Sequence, residues 1–276
     1  MEPTSRKLAL LDTTIQVDRC KMATRRKTIE ELLQAYDFVI STGISLLEFK
    51  ATLIQECITI HDFLKRVGLY TKVRDRLTES SHRQAKLRGH IFNNIISISG
   101  QSSFVITEEK DRRLAERARL LLATKIPRLY DWFCASVGSV QTLDIQCTRA
   151  KERPAIKGVA FEPNLPKCRM GNKFCKVEEF IRKAAAPIIE SVAAKVEAMN
   201  SEDAQQLRGT IEVFRSVLDK DAKLSHSECR RAGDMLIALE GVASGATHSL
   251  STNARDWSVV SEVTGLEFQR VKYADG

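Results

Sequence analysis

The sequence predicts an α/β protein with a parallel sheet, and three observations carry that expectation. Short apolar runs end in polar turns: Lys7-Leu8-Ala9-Leu10-Leu11 runs into Asp12, and Asp37-Phe38-Val39-Ile40-Ser41 runs into Thr42-Gly43. Segments with helical spacing separate the runs. The closing stretch from Gly233 then reads as helix, glycine, strand, helix, strand. Buried parallel strands are continuous apolar runs, and strands alternating with helices imply a parallel sheet.

Taken in order, residues 7–11 form the first strand. Residues 24–35 form a helix with Ile29, Leu32 and Leu33 on one face, and Thr28 with Glu31 has the spacing of a capping box. Residues 37–41 form the second strand. The next helix begins near Ile44, and the broad face of Leu46, Leu47, Leu53, Ile54, Cys57, Ile58 and Leu64 packs on the sheet. Glu48 lies in its first turn, where the helix dipole favours an acid in any case. From about residue 66 to about 224 the pattern changes. A polar stretch covers 74–88, an ambiguous one 91–106, and an Arg- and Leu-rich helix covers 108–126, stopped by Pro127. Residues 148–175 combine Pro, Gly and basic residues as a long loop.

Residues 176–199 are helical, with Pro187 opening a new segment. Ser201-Glu202-Asp203 caps a helix ending near Leu218, and Ser225 with Glu228 forms another capping box. A long apolar helix opens at Asp234, and Gly245 follows it. A strand covers 249–251, a helix 256–263, and a last strand 266–271. Neither an internal repeat nor a low-complexity tract is present.

Composition narrows the function classes. The chain has 276 residues, 43% hydrophobic and 28% charged, ordinary for a globular protein. No apolar run approaches the roughly 18 residues a membrane helix needs, and 1–7 lacks a signal-peptide core, so a cytoplasmic protein without a membrane partner is expected. The seven cysteines form no C-x-x-C pair, which argues for reduced thiols and against zinc. A net charge of +8 favours polyanionic partners. Basic clusters at 19–27, 72–76, 83–88 and 167–176 fit that, although solvated surface accounts for any one of them. At 6% aromatic, base-stacking platforms are not expected.

Four acids stand in comparable places. Asp12 ends the first strand, Glu48 lies early in the helix after the second, Asp234 opens a helix, and Asp256 follows the next strand with Asn253 beside it. In open α/β sheets, ligands bind beyond the carboxyl ends of the strands. Carboxylates gathered there repel one another unless a cation lies between them. Oxygen-only ligands suit Mg²⁺ or Mn²⁺, and such an ion can activate water for displacement at phosphorus. Thr13 and Asn253 are candidate secondary groups: the Thr13 hydroxyl can orient a carboxylate.

Four segments carry a family likeness. Leu10-Leu11-Asp12-Thr13-Thr14, Ile40 to Glu48, Gly233 to Ala238 and Ser251 to Trp257 stand in order, and the chain resembles the PIN-domain ribonucleases. The resemblance implies a three-layer α/β/α fold with a parallel sheet. It implies Mg²⁺ or Mn²⁺ held by Asp12, Glu48, Asp234 and Asp256, and hydrolysis of RNA. Many relatives are toxins, so an antitoxin protein and a homodimer belong to what it implies. The likeness places a nuclease core in 1–66 and 225–276, with 67–224 as a mostly helical insertion. Asn253 stands where several relatives carry another acid, and its carbonyl oxygen can ligate without adding charge. A degenerate, non-catalytic PIN-like fold that binds nucleic acid or acts as a scaffold is the alternative. A haloacid-dehalogenase-like phosphatase needs a second Asp where Thr14 stands.

Overall fold

The apolar run at the front of the chain becomes the middle of a sheet. The computed structural model describes residues 6–21, 23–78, 88–89, 91–92, 107–134, 140–142, 147, 156–157, 160–161, 175–200, 202–219 and 222–273. Strand β1 (Leu8–Leu11) pairs in parallel with β2 (Phe38–Ser41) on one side and with β6 (His248–Ser251) on the other. Beyond these lie β3 (Val140–Thr142), against β2, and β7 (Glu267–Arg270), against β6. The order is β3-β2-β1-β6-β7, and every neighbouring pair is parallel. Two short strands, β4 (Ile156–Lys157) and β5 (Ala160–Phe161), form a separate antiparallel pair.

Side chains alternate across a strand, and here the alternation sorts two cores. Ala9, Leu11, Val39 and Leu250 face Ile15, Ile29 and Leu33. These come from α1 (Thr13–Lys21) and α2 (Ala23–Leu33). Leu10 and Ile40 face the other way, into the largest cluster. That cluster draws on α8 (Ala186–Ala198), α9 (Glu202–Asp219), α11 (Gly233–Ala243) and α12 (Ala254–Thr264). Before α8 come α7 (Lys176–Phe180) and a wide π turn over Ile181–Ala185. Helix α10 (His226–Arg231) precedes α11 and carries the Ser225–Glu228 capping box complete. Helix α11 lies tight on β1: a Cβ at Gly241 would sit 2.6 Å from Leu10 Cδ2. The chain is thus α/β, with helices on both faces of a parallel sheet.

A third cluster stands apart from the strands. Helix α3 (Gly43–Phe49) continues through a π turn, Lys50–Ile54, into α4 (Gln55–Val67), followed by α5 (Tyr70–Thr78). Their apolar face, including Leu46, Leu53, Ile54, Cys57, Ile58 and Leu64, packs with Leu122, Ile126, Tyr130 and Phe133 of α6 (Glu108–Cys134). The expected packing of that face on the sheet is therefore corrected: its partner is another helix.

Three further expectations change. Helix α6 runs through Pro127. A proline inside a helix costs roughly 3 kcal/mol. Burying Ile126, Tyr130 and Phe133 around it gains roughly 1.5–3 kcal/mol apiece, so packing outweighs the break. Thr28 lies within α2, not at its start, and so caps nothing there. The boundary drawn at 67–224 does not follow the packing, because Ile189, Val192 and Phe214 share a core with Leu10 while β3 joins the sheet. Most of the loop expected at 148–175 and of the stretch 91–106 lies outside the described residues. Among the described residues, no helix is long and apolar enough to cross a membrane, and Cys20, Cys57, Cys147 and Cys175 are free thiols.

Candidate metal centre

The strand order fixes where a site can form. From β1 the chain crosses to β2 and β3 on one side, and it returns to β6 and β7 on the other. The crevice at such a reversal, outside the carboxyl ends of the strands, is where open sheets bind ligands. Asp12 directly follows β1, and Ser251 ends β6, so both lie at this point. Asp12 NH donates to Leu250 O at 3.0 Å, which ties the acid to the neighbouring strand end.

Two helices bring further carboxylates to the crevice. Glu48 is carried by α3, whose start is set by Thr42: its hydroxyl accepts from Ser45 NH at 3.0 Å. The cap places Glu48 in the second turn and not the first, so the helix dipole does not explain this acid. Asp234 sits in the first turn of α11. One carboxylate oxygen each from Asp12, Glu48 and Asp234 lies within 4.8 Å of the others. Asp12 is buried, and the other two are partly exposed at the mouth. Gly233 makes the approach feasible, because a Cβ there would overlap Glu48 Oε1.

Hydroxyl groups hold the acids in position. Thr14 Oγ1 and Ser251 Oγ each donate to Asp12 Oδ2 at 2.6 Å. Thr13 Oγ1 donates to Glu48 Oε2 at 2.7 Å. Asn253 is the N-cap of α12 without a side-chain bond to the helix's backbone amides; its Nδ2 donates instead to Asp256 Oδ2 at 2.6 Å. That pair stands beside the three-acid cluster, and Asp256 is exposed. Of the four acids, Asp12, Glu48 and Asp234 form the cluster, and Asp256 lies near enough to raise Asp234.

The electrostatics favour a cation. Burial, reinforced by nearby Asp234 and opposed by the Thr13 hydroxyl, leaves the Glu48 carboxyl raised to about 8. Burial likewise raises Asp234 to about 7, with Asp12 and Asp256 adding to it. The Trp257 indole lies near enough to lower Asp234 slightly without closing a hydrogen bond of good geometry. Asp12 is also raised by burial, against the Ser251 and Thr14 hydroxyls. Three acids held this way resist ionisation until a positive charge arrives. The donors are all oxygen, which suits Mg²⁺ or Mn²⁺ rather than zinc. Gly233, Thr14 and Ser251 are the supporting residues whose roles sequence reasoning missed. Thr14 and Ser251 stood inside the quoted segments, but their bonds to Asp12 depend on strands that are adjacent only in space.

No family model, no curated protein and no solved structure matches this chain.

Proposed function

We propose that the chain is a metal-dependent endoribonuclease with a PIN-like core, hydrolysing RNA phosphodiester bonds. The reading is carried by one observation: three carboxylates within 4.8 Å of one another at the reversal point of a parallel sheet. Asp12, Glu48 and Asp234 would hold Mg²⁺ or Mn²⁺. The bound ion would supply a polarised water and offset charge developing on the phosphate. Asp12 is fixed by its two hydroxyl donors and anchors the set. Glu48 and Asp234, nearer the solvent, face the incoming phosphate. With the ion bound, Glu48 would be ionised and would serve as a ligand or as the base that orients the attacking water. Asp256 tunes Asp234 by repulsion and screens the mouth. The net charge of +8 supports a polyanionic substrate.

Cleavage and binding of a fluorescent RNA, measured side by side in Mn²⁺, Mg²⁺ and EDTA, test the reading. Cleavage by the wild type should require the metal and be lost in Asp234→Asn, while binding survives, since phosphate affinity comes mainly from Lys and Arg. Full cleavage in EDTA, or full cleavage by Asp234→Asn, overturns the metal mechanism. Metal-independent binding with no cleavage under any condition would favour the non-catalytic reading. Whether an antitoxin or a second copy binds is open to the same purified protein, by co-purification with the product of a neighbouring gene and by its mass in solution.

A further inference from the structure

A second charged pocket lies in the helical cluster, between α4 and α5. It is a cavity of about 390 Å³ with Ile60, Phe63 and Leu77 in its walls and Arg66, Arg76 and Arg88 among its lining residues. Arg88 forms an ion pair with Glu56 and is thereby neutralised. Arg66 and Arg76 have no carboxylate partner among the described residues. Their guanidinium carbons instead approach a single phenyl ring, Phe63, at 5.8 and 5.6 Å from its centroid. Two uncompensated cations drawn to one ring repel each other. An anion between them would relieve that repulsion, and the planar fork of a guanidinium matches the oxygens of a phosphate. The volume falls within the range of small-molecule sites. The apolar walls leave room for the uncharged part of the same ligand.

We infer that Arg66 and Arg76 form a binding site for a nucleotide phosphate, carried either by a free nucleotide or by an RNA strand. The site does not use the acid pocket and needs no metal, so it stands or falls separately from the nuclease reading. Both arginines are exposed, and their replacement leaves the core untouched.

The test is titration calorimetry in EDTA with three probes: inorganic pyrophosphate, ADP and a twelve-nucleotide oligouridylate. The wild type is compared with the Arg66→Gln/Arg76→Gln double variant and with Lys72→Gln. The last removes one charge from the same helix α5, outside the pocket. The expected result is binding of at least one probe, weakened about tenfold or more in the double variant and about twofold or less in Lys72→Gln. Binding of ADP and pyrophosphate identifies the free nucleotide as the source; binding of the oligouridylate alone identifies the strand. Failure of all three probes to bind the wild type overturns the site. An equal loss in Lys72→Gln also overturns it, because diffuse charge would then suffice. Asp234→Asn should bind every probe as the wild type does, which separates this result from any failure of cleavage.

Discussion

The acid pocket at the strand ends and the arginine pocket between α4 and α5 hold like charges together by different means. The acids are drawn in by the sheet: Asp12 is fixed to β6 by a hydroxyl donor, and Glu48 closes on a glycine. Burial then raises Glu48 and Asp234 well above ordinary carboxylates. The arginines remain in water over one aromatic ring. Desolvating a charge is expensive, and leaving it exposed is not. The difference teaches that the first pocket is an electrostatic demand built into the core, whereas the second is an accessory that can be removed without disturbing the fold.

Short of removing a cluster acid, the largest expected effect comes from destroying the close approach at Gly233. Gly233→Ala should displace Glu48 and lower metal-dependent cleavage by on the order of 10²-fold, the usual penalty for misplacing a reacting group by an ångström. Nucleotide binding at Arg66 and Arg76 should be unchanged. A loss in both, or in neither, would break the contrast between the pockets.

Stability should respond to pH in one direction. The folded pKa values of Glu48 and Asp234 lie above their unfolded values. Their contribution is therefore fully present below about pH 4 and is lost as pH rises through about 7 and 8. Buried Glu240, raised to about 7 mainly by burial, adds the same sign; the Gly43 and Ile44 amides and the Thr42 hydroxyl oppose it. The thermal midpoint in EDTA should fall between pH 5 and pH 8. Asp234→Asn should recover roughly 2–4 °C of it at pH 8, as about 1 kcal/mol does in a chain of this size. Added Mn²⁺ should raise the midpoint more at pH 8 than at pH 6, because the ligands must lose protons to bind it. A midpoint that climbs with pH in EDTA would contradict the burial of these acids.

Smaller effects sharpen the picture. Ser251→Ala removes one of two hydroxyl donors to Asp12, which should cost about 1 kcal/mol of stability. It should also move the alkaline-going limb of the cleavage profile to higher pH, since a donor that lowers the Asp12 pKa is gone. Thr13→Val should shift the profile the same way through Glu48. Smallest of all is Asp256→Asn. It lifts a repulsion from Asp234 without removing a member of the cluster, so cleavage should fall about tenfold or less, one pKa unit's worth of energy. A collapse as deep as that of Asp234→Asn would put Asp256 back among the metal ligands.

Much of this was legible in the sequence because it is local. The strand at 8–11, the acid after it, the helix from Asp234 and the glycine at 245 each follow from a run of neighbouring residues. Gly245 has φ +86, which favours glycine and lets the chain turn back into β6. What escaped is non-local. Pro127 reads as a stop until Ile126, Tyr130 and Phe133 are seen buried around it. Helix 44–64 reads as a sheet-packing helix because its apolar face does not disclose what covers it. That Asp12, Glu48 and Asp234 meet depends on how two helices pack at the strand ends, which periodicity does not resolve. Ser251 looks like any strand residue until β6 is known to lie beside β1.

That adjacency has a consequence for how the site comes into being. The bond from Ser251 to Asp12 joins residues 239 positions apart. During synthesis the anchoring acid emerges long before its support. The helical cluster of α3 to α6 is complete before β6 has been made, and it can gather its own contacts early. The acid pocket cannot. A chain arrested between α3 and Gly233 carries Asp12 and Glu48 but has neither the strand that fixes the first nor the glycine-led helix that meets the second. On the reading proposed above, hydrolytic capacity appears only after β6 has left the tunnel and taken its place beside β1.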